Sequence, residues 1–463
     1  MRGIIFRLLG LTLLSLLPIA PLVYFSSLQL LGIKHESSYF AVWCVTVWFI
    51  PLALLLPNFI RNQMRITAID VMFCLVSVLL AVHLTLFTFE AGVRDWALFV
   101  TFWIGPYAAA RLVSVQDIMR FLKILSGITL TVSAATIAWQ ISMQLTVGDN
   151  LRPVMLGVNH GVHIVALALG IFVAIQASGA FEKKSTATWT RPIIAALVAA
   201  ELVLLGARGV VMATIATGLL MVLAPARDGR RGRIAVFAAI LVGATLALTL
   251  NNVARDFMVR AYLPLEQPAG AGVPRETLEQ RAGAGVPKET LEQPAGTSVP
   301  RESVKQLSKE ECNQLNKIVD STPIRLWLVQ QGFSLFQSRR VFGIGLENYG
   351  AYTCRGAFPH STILQAFVET GAIGGIAYVL MLGAATFSLI VLVIDRLLYT
   401  GRTASAVLAL LLFFLILDQF YGRISLSSTV GLVLGFSATL VTRSNHPYLR
   451  GWRIGSSENL SVT

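Results

Sequence analysis

The sequence predicts an all-α polytopic membrane protein, and three observations lead to that class. Of its 463 residues, 55% are hydrophobic and only 13% are charged, which leaves more apolar surface than one water-soluble core can bury. Apolar runs long enough to cross a hydrocarbon layer of roughly 30 Å recur along the chain. Lysine and arginine concentrate at alternate ends of these runs, as the preference of cytoplasmic loops for basic residues requires.

About twelve transmembrane helices are expected, nine before a long polar stretch and three after it. The first apolar run carries no clear small-residue cleavage site, so we expect it to stay in the protein as a span. The seventh, eighth and eleventh runs are short and are expected to tilt or to form half-helices. The predicted spans are residues 4–25, 39–60, 67–89, 96–113, 121–145, 161–178, 192–205, 209–223, 234–250, 373–394, 404–417 and 425–441.

The basic residues orient these spans. If the N-terminus is cytoplasmic, most lysines and arginines fall at inner ends, and an even number of spans returns the C-terminus to the same side. The short outer loops then carry only Lys34, Arg94, Arg152, Arg208 and Arg423.

Four regions follow from this topology. Residues 1–250 form an N-terminal membrane region with spans one to nine, and residues 360–443 form a C-terminal membrane region with spans ten to twelve. Between them, residues 251–359 form a long, partly helical outer segment, and residues 444–463 form a cytoplasmic tail. Near 265–306 the outer segment repeats every 13 residues, as "VPRETLEQ", "VPKETLEQ" and "VPRESVKQ". We interpret the repeats as a tolerated tandem duplication rather than a binding element.

The four cysteines divide between the membrane and the outer segment. Cys44 and Cys74 lie in apolar spans, where a small thiol packs readily. Cys312 and Cys354 lie in the outer segment and flank Arg325. In an oxidising compartment such as a bacterial periplasm they are available to form one disulfide, although the sequence alone leaves the pairing open.

Two outward-facing arginines are candidates for binding an anion. Arg208, in "LLGARGVVM", lies between two apolar spans, where it either snorkels to water and lipid phosphate or accompanies a bound anion. Arg325 follows Thr322 and Pro323, which are expected to cap and begin a helix. A helix start attracts phosphate, and the guanidinium adds a bidentate donor fork. The alternative for Arg325 is an ion pair with Asp320.

His360 is the candidate proton acceptor. It follows Pro359 and precedes Ser361 and Thr362, either of which can cap the apolar helix that begins there. The positive end of a helix dipole disfavours imidazolium, so a neutral imidazole is expected, and a neutral imidazole can accept a proton from a hydroxyl. A single histidine at a membrane boundary is more often structural. The combination with two outward arginines favours a site for a lipid-linked phosphate.

The residues around His360 carry a resemblance to a known family. "HS", nine further residues and "GAIG" resemble the H-[NSQ]-x9-G-x-x-G pattern of the O-antigen ligase family, within the larger group of O-antigen polymerases and protein oligosaccharyltransferases. "GARG" around Arg208, "IRLWL" and "FGIGLENYG" around Arg325, the long outer segment and the twelve spans are also similar to that family. The 13-residue repeats are not part of its pattern.

The resemblance implies a glycosyltransferase of the bacterial inner membrane whose active site faces the periplasm. It would transfer a polysaccharide from undecaprenyl diphosphate to the lipid A core, with Arg208 and Arg325 on the diphosphate and His360 deprotonating the acceptor hydroxyl. No cofactor, metal ion or nucleic-acid partner is expected. Arg152, Arg423 and Ser361 are weaker candidates for contacts with the substrates. Asp149 and Asp418 lie close enough in sequence to neutralise Arg152 and Arg423, respectively.

Three functions remain open at this stage. Ligation to lipid A core is the first, and polymerisation of repeat units or transfer to protein is the second. The third is transport of lipid-linked sugars, for which ionisable residues near mid-membrane at an inverted-repeat interface are expected. The notable charges cluster at one face, which favours surface chemistry. Residues 347–349 of "FGIGLENYG" are either sugar contacts or ordinary polar loop residues.

Overall fold

The chain is helical almost throughout the part that the structure describes. A computed structural model describes residues 2–31, 37–61, 65–88, 92–144, 161–181, 189–224, 230–250, 321–353, 359, 361–394, 398–421, 428–442 and 452–453. The first half comprises α1 (Arg2–Ser15), a 3-10 turn (Leu17–Ile19), α2 (Ala20–Leu31), α3 (Ser37–Arg61), strand β1 (Arg65–Ile66), α4 (Ala68–Leu86), α5 (Val93–Phe99), a π-helical segment (Val100–Ile104), α6 (Gly105–Arg111) and α7 (Val115–Gln144). The second half comprises α8 (Gly161–Ala177), α9 (Thr190–Leu204), α10 (Arg208–Leu223), α11 (Arg230–Leu250), α12 (Ser321–Ser338), a 3-10 turn (Tyr349–Tyr352), α13 (Thr362–Ile394), α14 (Leu398–Tyr421), α15 (Ser428–Thr442) and strand β2 (Trp452–Arg453).

Each of the twelve predicted apolar segments coincides with helix, and six of these helices are long and apolar enough to cross a membrane within the described residues. The chain therefore has the architecture of a helical membrane protein. The six stretches are Ile5–Tyr24, Ala68–Leu86, Val115–Ala135, Arg230–Leu250, Thr362–Ile394 and Gly401–Phe420, and shorter apolar helices cover Val45–Leu56, Ile164–Ala177, Arg208–Leu223 and Ser428–Thr442.

Two of the segments expected to be short are indeed short helices. The helices α9 and α10 contain 15 and 16 residues. At a rise of 1.5 Å per residue, neither reaches across a hydrocarbon layer of roughly 30 Å. The eleventh segment differs, because α14 extends beyond the predicted run at both ends to 24 residues. A search for apolar runs does not predict the full length of α14, because residues at both of its ends are polar.

Small residues let neighbouring helices approach closely. A Cβ added to Gly243 of α11 would lie 2.0 Å from the carbonyl oxygen of Ala196 in α9. A Cβ added to Gly170 of α8 would lie 2.5 Å from the ring of Phe413 in α14 and 2.7 Å from Val210 in α10. The helices α8, α10 and α14 therefore meet at Gly170.

Side-chain contacts fix which helix ends lie together. Gln176, near the end of α8, donates from Nε2 to Ser126 Oγ in the first half of α7 at 3.1 Å. Ser405 Oγ, in the first turns of α14, donates to the carbonyl oxygen of Ser178 at 2.8 Å. The start of α7, the end of α8 and the start of α14 therefore share one end of the bundle.

We name this end the basic end, because two clusters of arginine and aspartate lie there. Asp117, at the start of α7, is buried and pairs with Arg7 and with Arg120, the latter at 3.3 Å. Arg111, four residues before α7, pairs with Asp70 at 2.7 Å. These arginines are among those assigned to inner loops from the sequence.

The short sheet joins the C-terminal region to the same end. Strands β1 and β2 pair antiparallel, with Arg65 opposite Arg453 and Ile66 opposite Trp452. Arg111 Nη2 also donates to the carbonyl oxygen of Arg65 at 3.1 Å. Among the described residues, this strand pair departs from the predicted all-α fold. It agrees with the expectation that basic residues near the two ends of the chain lie on the same side of the membrane.

Candidate functional site

The start of α13 lies beside the end of α14, at the end of the bundle opposite the basic end. Ser361 Oγ donates to Gln419 Oε1 at 2.7 Å, and Gln419 Nε2 donates to Thr362 Oγ1 at 3.3 Å. Ser361 also caps α13, since its Oγ accepts the backbone N–H of Leu364 at 3.3 Å. The capping role expected from the sequence is therefore correct, and the second contact fixes the cap to a neighbouring helix.

Arg208 lies in the half of the bundle toward this same end. The guanidinium of Arg191, at the start of α9, donates to the carbonyl oxygen of Phe181 just past α8, so α9 starts at the basic end and runs toward the opposite end. A tight turn follows, in which Gly206 has a φ of 68° and its carbonyl accepts the N–H of Arg208 at 3.0 Å. Arg208 is thus the first residue of α10, half-buried, with its Nε atom inside the protein.

Arg325 lies in the first turns of α12, at the end of that helix nearest the start of α13. That helix begins at Ser321 and packs parallel to α13: Gly332 lies against Leu364, and the rings of Phe336 and Phe367 are 5.8 Å apart. Moving toward the N-termini of both helices therefore leads to the same place. Arg325 is half-buried and lies about 10 Å before Gly332, at 1.5 Å per residue.

Three helix starts therefore face one end of the molecule, and two of them carry an arginine. The first turns of a helix present backbone N–H groups that the helix itself does not use, and the helix dipole adds positive potential there. An anion is stabilised by such N–H groups and by guanidinium donors together. This end, which we name the cationic end, is thus chemically suited to phosphate or carboxylate groups.

Several sequence-predicted residues lie outside the described residues. These are His360, Arg152, Arg423, Cys312 and Cys354. The chain places His360 between Pro359, which is buried, and Ser361, whose contacts fix the start of α13. The proposed roles of these five residues stay predictions.

Sequence reasoning missed a group of buried polar residues around the start of α13. Asp418 on α14 is 9% exposed, and it interacts electrostatically with Tyr378. The Tyr378 hydroxyl is in turn hydrogen-bonded to the side chain of Thr362. From the sequence, Asp418 was assigned only to neutralising Arg423. The signal was available, since an acidic residue at the end of an apolar helix is costly unless it has a partner.

The residues of "FGIGLENYG" are mostly used for internal contacts. Asn348 is 4% exposed, and its Nδ2 donates to the carbonyl oxygens of Phe87 and Ile344, each at 2.8 Å. Tyr349 is fully buried, and its hydroxyl donates to the carbonyl oxygen of Leu328. Burial raises the pKa of this hydroxyl, so it stays protonated and able to donate. The side chains of Asn348 and Tyr349 thus stabilise this loop through internal hydrogen bonds.

Among the residues that the structure describes, no group of three or more His, Cys, Asp or Glu side chains is arranged to hold a metal ion. The cationic charge at this end is supplied by arginine and helix starts. Comparison with protein-family models, with curated proteins and with solved structures finds no match to this chain. The fold and the site therefore define a class, a helical membrane protein with a cationic end, and its chemistry is inferred from its own residues.

Proposed function

We propose that the protein is a metal-independent glycosyltransferase that ligates O-antigen polysaccharide from undecaprenyl diphosphate onto the lipid A core. The observation that carries the proposal is the common direction of the helix starts that bear Arg208, Arg325 and Ser361. This arrangement suits a diphosphate held at a membrane surface. The resemblance of residues 360–374 to the O-antigen ligase pattern supplies the class of sugar donor and acceptor.

The topology that belongs to this proposal has twelve spans with both termini in the cytoplasm of a bacterial inner membrane. The cationic end then faces the periplasm, and the basic end faces the cytoplasm. The arginine clusters at the basic end support that orientation, because cytoplasmic ends of spans are rich in Lys and Arg.

The proposed reaction is a single displacement. Arg208 and Arg325 hold the diphosphate of the lipid-linked donor and orient the anomeric carbon toward the acceptor. His360 takes the proton of the acceptor hydroxyl as its oxygen attacks that carbon. The bond from the anomeric carbon to the diphosphate breaks, and its electron pair leaves with undecaprenyl diphosphate, whose growing charge the two guanidinium groups stabilise. The attack comes from the face opposite the leaving group, so the anomeric configuration inverts.

Reconstitution tests this function directly. The purified protein, lipid-linked polysaccharide and rough lipopolysaccharide are combined in liposomes, and the product is followed by its shift on gels. We expect His360→Ala, Arg208→Ala and Arg325→Ala each to lower the rate at least 100-fold, which is the usual effect of removing a catalytic base or a charge-stabilising donor. Activity is expected to persist in a chelator.

Two arginine substitutions serve as matched controls. Arg230 is the first residue of α11, as Arg208 is of α10, but it lies beside the far end of α10, since Arg233 Nη1 donates to the carbonyl oxygen of Met221 at 2.8 Å. Arg340 follows the other end of α12 and is exposed, so it controls for the loss of one arginine from the same helix away from the cationic end. Arg230→Ala and Arg340→Ala should ligate at the wild-type rate. Normal ligation by folded Arg208→Ala and Arg325→Ala proteins would refute the site assignment, and dependence on added magnesium or manganese would refute the metal-independent mechanism.

A further inference from the structure

The helix α13 is broken near its start, and a preceding loop occupies the break. Gly371 has a φ of 69° and a ψ of −171°, which interrupts the helix. In a continuous helix, the carbonyl oxygens of Val368 and Glu369 would accept N–H groups four residues later. Here they accept the N–H groups of Ile344 and Gly345, at 3.0 and 2.9 Å. The loop at residues 342–349, which we name the clamp loop, therefore satisfies the backbone groups that the break exposes.

Glu369 fixes the clamp loop from inside the protein. Its side chain is fully buried, and its Oε1 accepts the backbone N–H of Tyr349 at 3.3 Å. The backbone of Glu347 provides another hydrogen bond to the same carboxylate, and Gln365 Nε2 donates to Oε2 at 3.0 Å. Glu347 adopts a left-handed φ of 61°, which a non-glycine residue adopts at some cost. The loop thus bends its backbone N–H groups around one buried carboxylate.

Tyr349 connects the clamp loop to the helix that carries Arg325. Its hydroxyl donates to the carbonyl oxygen of Leu328 in α12, three residues after Arg325. The side chains of Leu328, Leu335, Ile344, Tyr349 and Val368 form one small apolar cluster, separate from the main core. The chain of contacts therefore runs from α13 through Glu369 and the clamp loop to the first turns of α12.

We propose that Glu369 and Tyr349 are positioning residues that fix α12, and with it Arg325, relative to the start of α13. The catalytic consequence rests on the proposed function, in which Arg325 binds the diphosphate of the donor. The positional claim itself does not, because it concerns only how two helices are held together. Neither residue is expected to touch a substrate.

Hydrogen–deuterium exchange of the full-length protein tests the positional claim without any activity. Glu369→Leu removes the acceptor of the loop, so exchange should rise both in residues 343–349 and in the first turns of α12. Tyr349→Phe removes only the link to Leu328, so exchange should rise in α12 while the clamp loop stays protected. Glu369→Gln keeps an acceptor oxygen and Gln365 can reverse its amide, so this variant should exchange as the wild type does.

Tyr352→Phe is the matched control, because Tyr352 lies at the edge of the same apolar cluster and is only half-buried. It should leave exchange unchanged. A rise confined to residues 343–349 in Glu369→Leu, or unchanged exchange in α12 of Tyr349→Phe, would overturn the proposal. If Glu369→Leu does not fold, Tyr349→Phe and Glu369→Gln still decide the result.

Steady-state kinetics then test the consequence for the site. Tyr349→Phe should raise the KM for the lipid-linked donor about threefold to tenfold, the range expected for one lost hydrogen bond, with the acceptor KM and kcat nearly unchanged. A loss of folded protein would instead lower kcat and leave both KM values alone, and that result would contradict a positioning role. If the wild type itself transfers no glycan, the proposed function fails, and the exchange experiment still decides whether Glu369 and Tyr349 hold α12.

Discussion

Replacing Gly371 with alanine is the sharpest test of how α13 is built. A Cβ at this position would lie 2.1 Å from the carbonyl oxygen of Val341, 2.3 Å from its carbonyl carbon and 2.6 Å from the backbone N of Phe342. All three are backbone atoms, so no side-chain rotation can relieve the overlap. The φ of 69° with a ψ of −171° also belongs to a region that is essentially restricted to glycine.

The expected cost follows from these two terms. An alanine held in this backbone region costs about 1–3 kcal/mol. Moving the backbone of Val341 and Phe342 away would disturb the bonds from Ile344 and Gly345 to α13, each worth about 1 kcal/mol and more if a buried group loses its partner. Together they lower the free energy of unfolding by roughly 3–5 kcal/mol, within the severe tail of single substitutions.

Gly383→Ala is the control within the same helix. A Cβ at Gly383 meets nothing within 4 Å, and alanine favours a helix interior over glycine by about 0.5–1 kcal/mol. Thermal unfolding in detergent, followed by tryptophan fluorescence, should show a lower Tm for Gly371→Ala and an equal or higher Tm for Gly383→Ala. Equal Tm values for the two variants would refute the claim that the backbone at residue 371 requires glycine.

Two further predictions concern the basic end and the orientation in the membrane. Asp117→Ala should lower the free energy of unfolding by about 1–3 kcal/mol because it leaves Arg7, whose side chain is 33% exposed, without its buried carboxylate. Arg120→Ala should change it by less than about 0.5 kcal/mol, since that side chain is 60% exposed, and an equal loss in both variants would contradict this reasoning. In a protein whose four native cysteines are replaced by serine, an impermeant maleimide applied from the periplasmic side should label Gln330→Cys in α12 but not Arg231→Cys at the start of α11. The reverse labelling pattern would invert the proposed topology.

Helix positions could be predicted from the sequence because each helix must be apolar along most of its length to lie in a membrane. The start of α13 was also predictable, since Ser361 before Thr362 is a local signal. Gly206 before Arg208 is a similar signal that the search for apolar runs did not use. Local signals decide such positions because the atoms involved are only three or four residues apart. The full length of α14 was not predicted from the sequence, because its ends are polar.

The break at Gly371 could not be predicted from the same signals. The glycines of "GAIGG" do not reveal the break by themselves, because glycine serves close helix packing and left-handed backbone equally well. The break is decided by the clamp loop, which supplies N–H groups to Val368 and Glu369 from about 24 residues away in the chain. A glutamate within an apolar run was the available hint, because a buried carboxylate requires donors.

The positions of Arg208 and Arg325 run against two general preferences, and this is the physical argument for a bound anion at the cationic end. A guanidinium at the start of a helix opposes the helix dipole, which favours cations at the other terminus. In the proposed topology these two residues also lie on the side that is normally poor in Lys and Arg. At the basic end Arg230 also begins a helix, but on the side where Lys and Arg are normally abundant, and Arg111 ends α6 and pairs with Asp70 at 2.7 Å. Two such placements at one end suit a ligand that carries negative charge, and in the proposed function a lipid-linked diphosphate delivers that charge at the membrane surface.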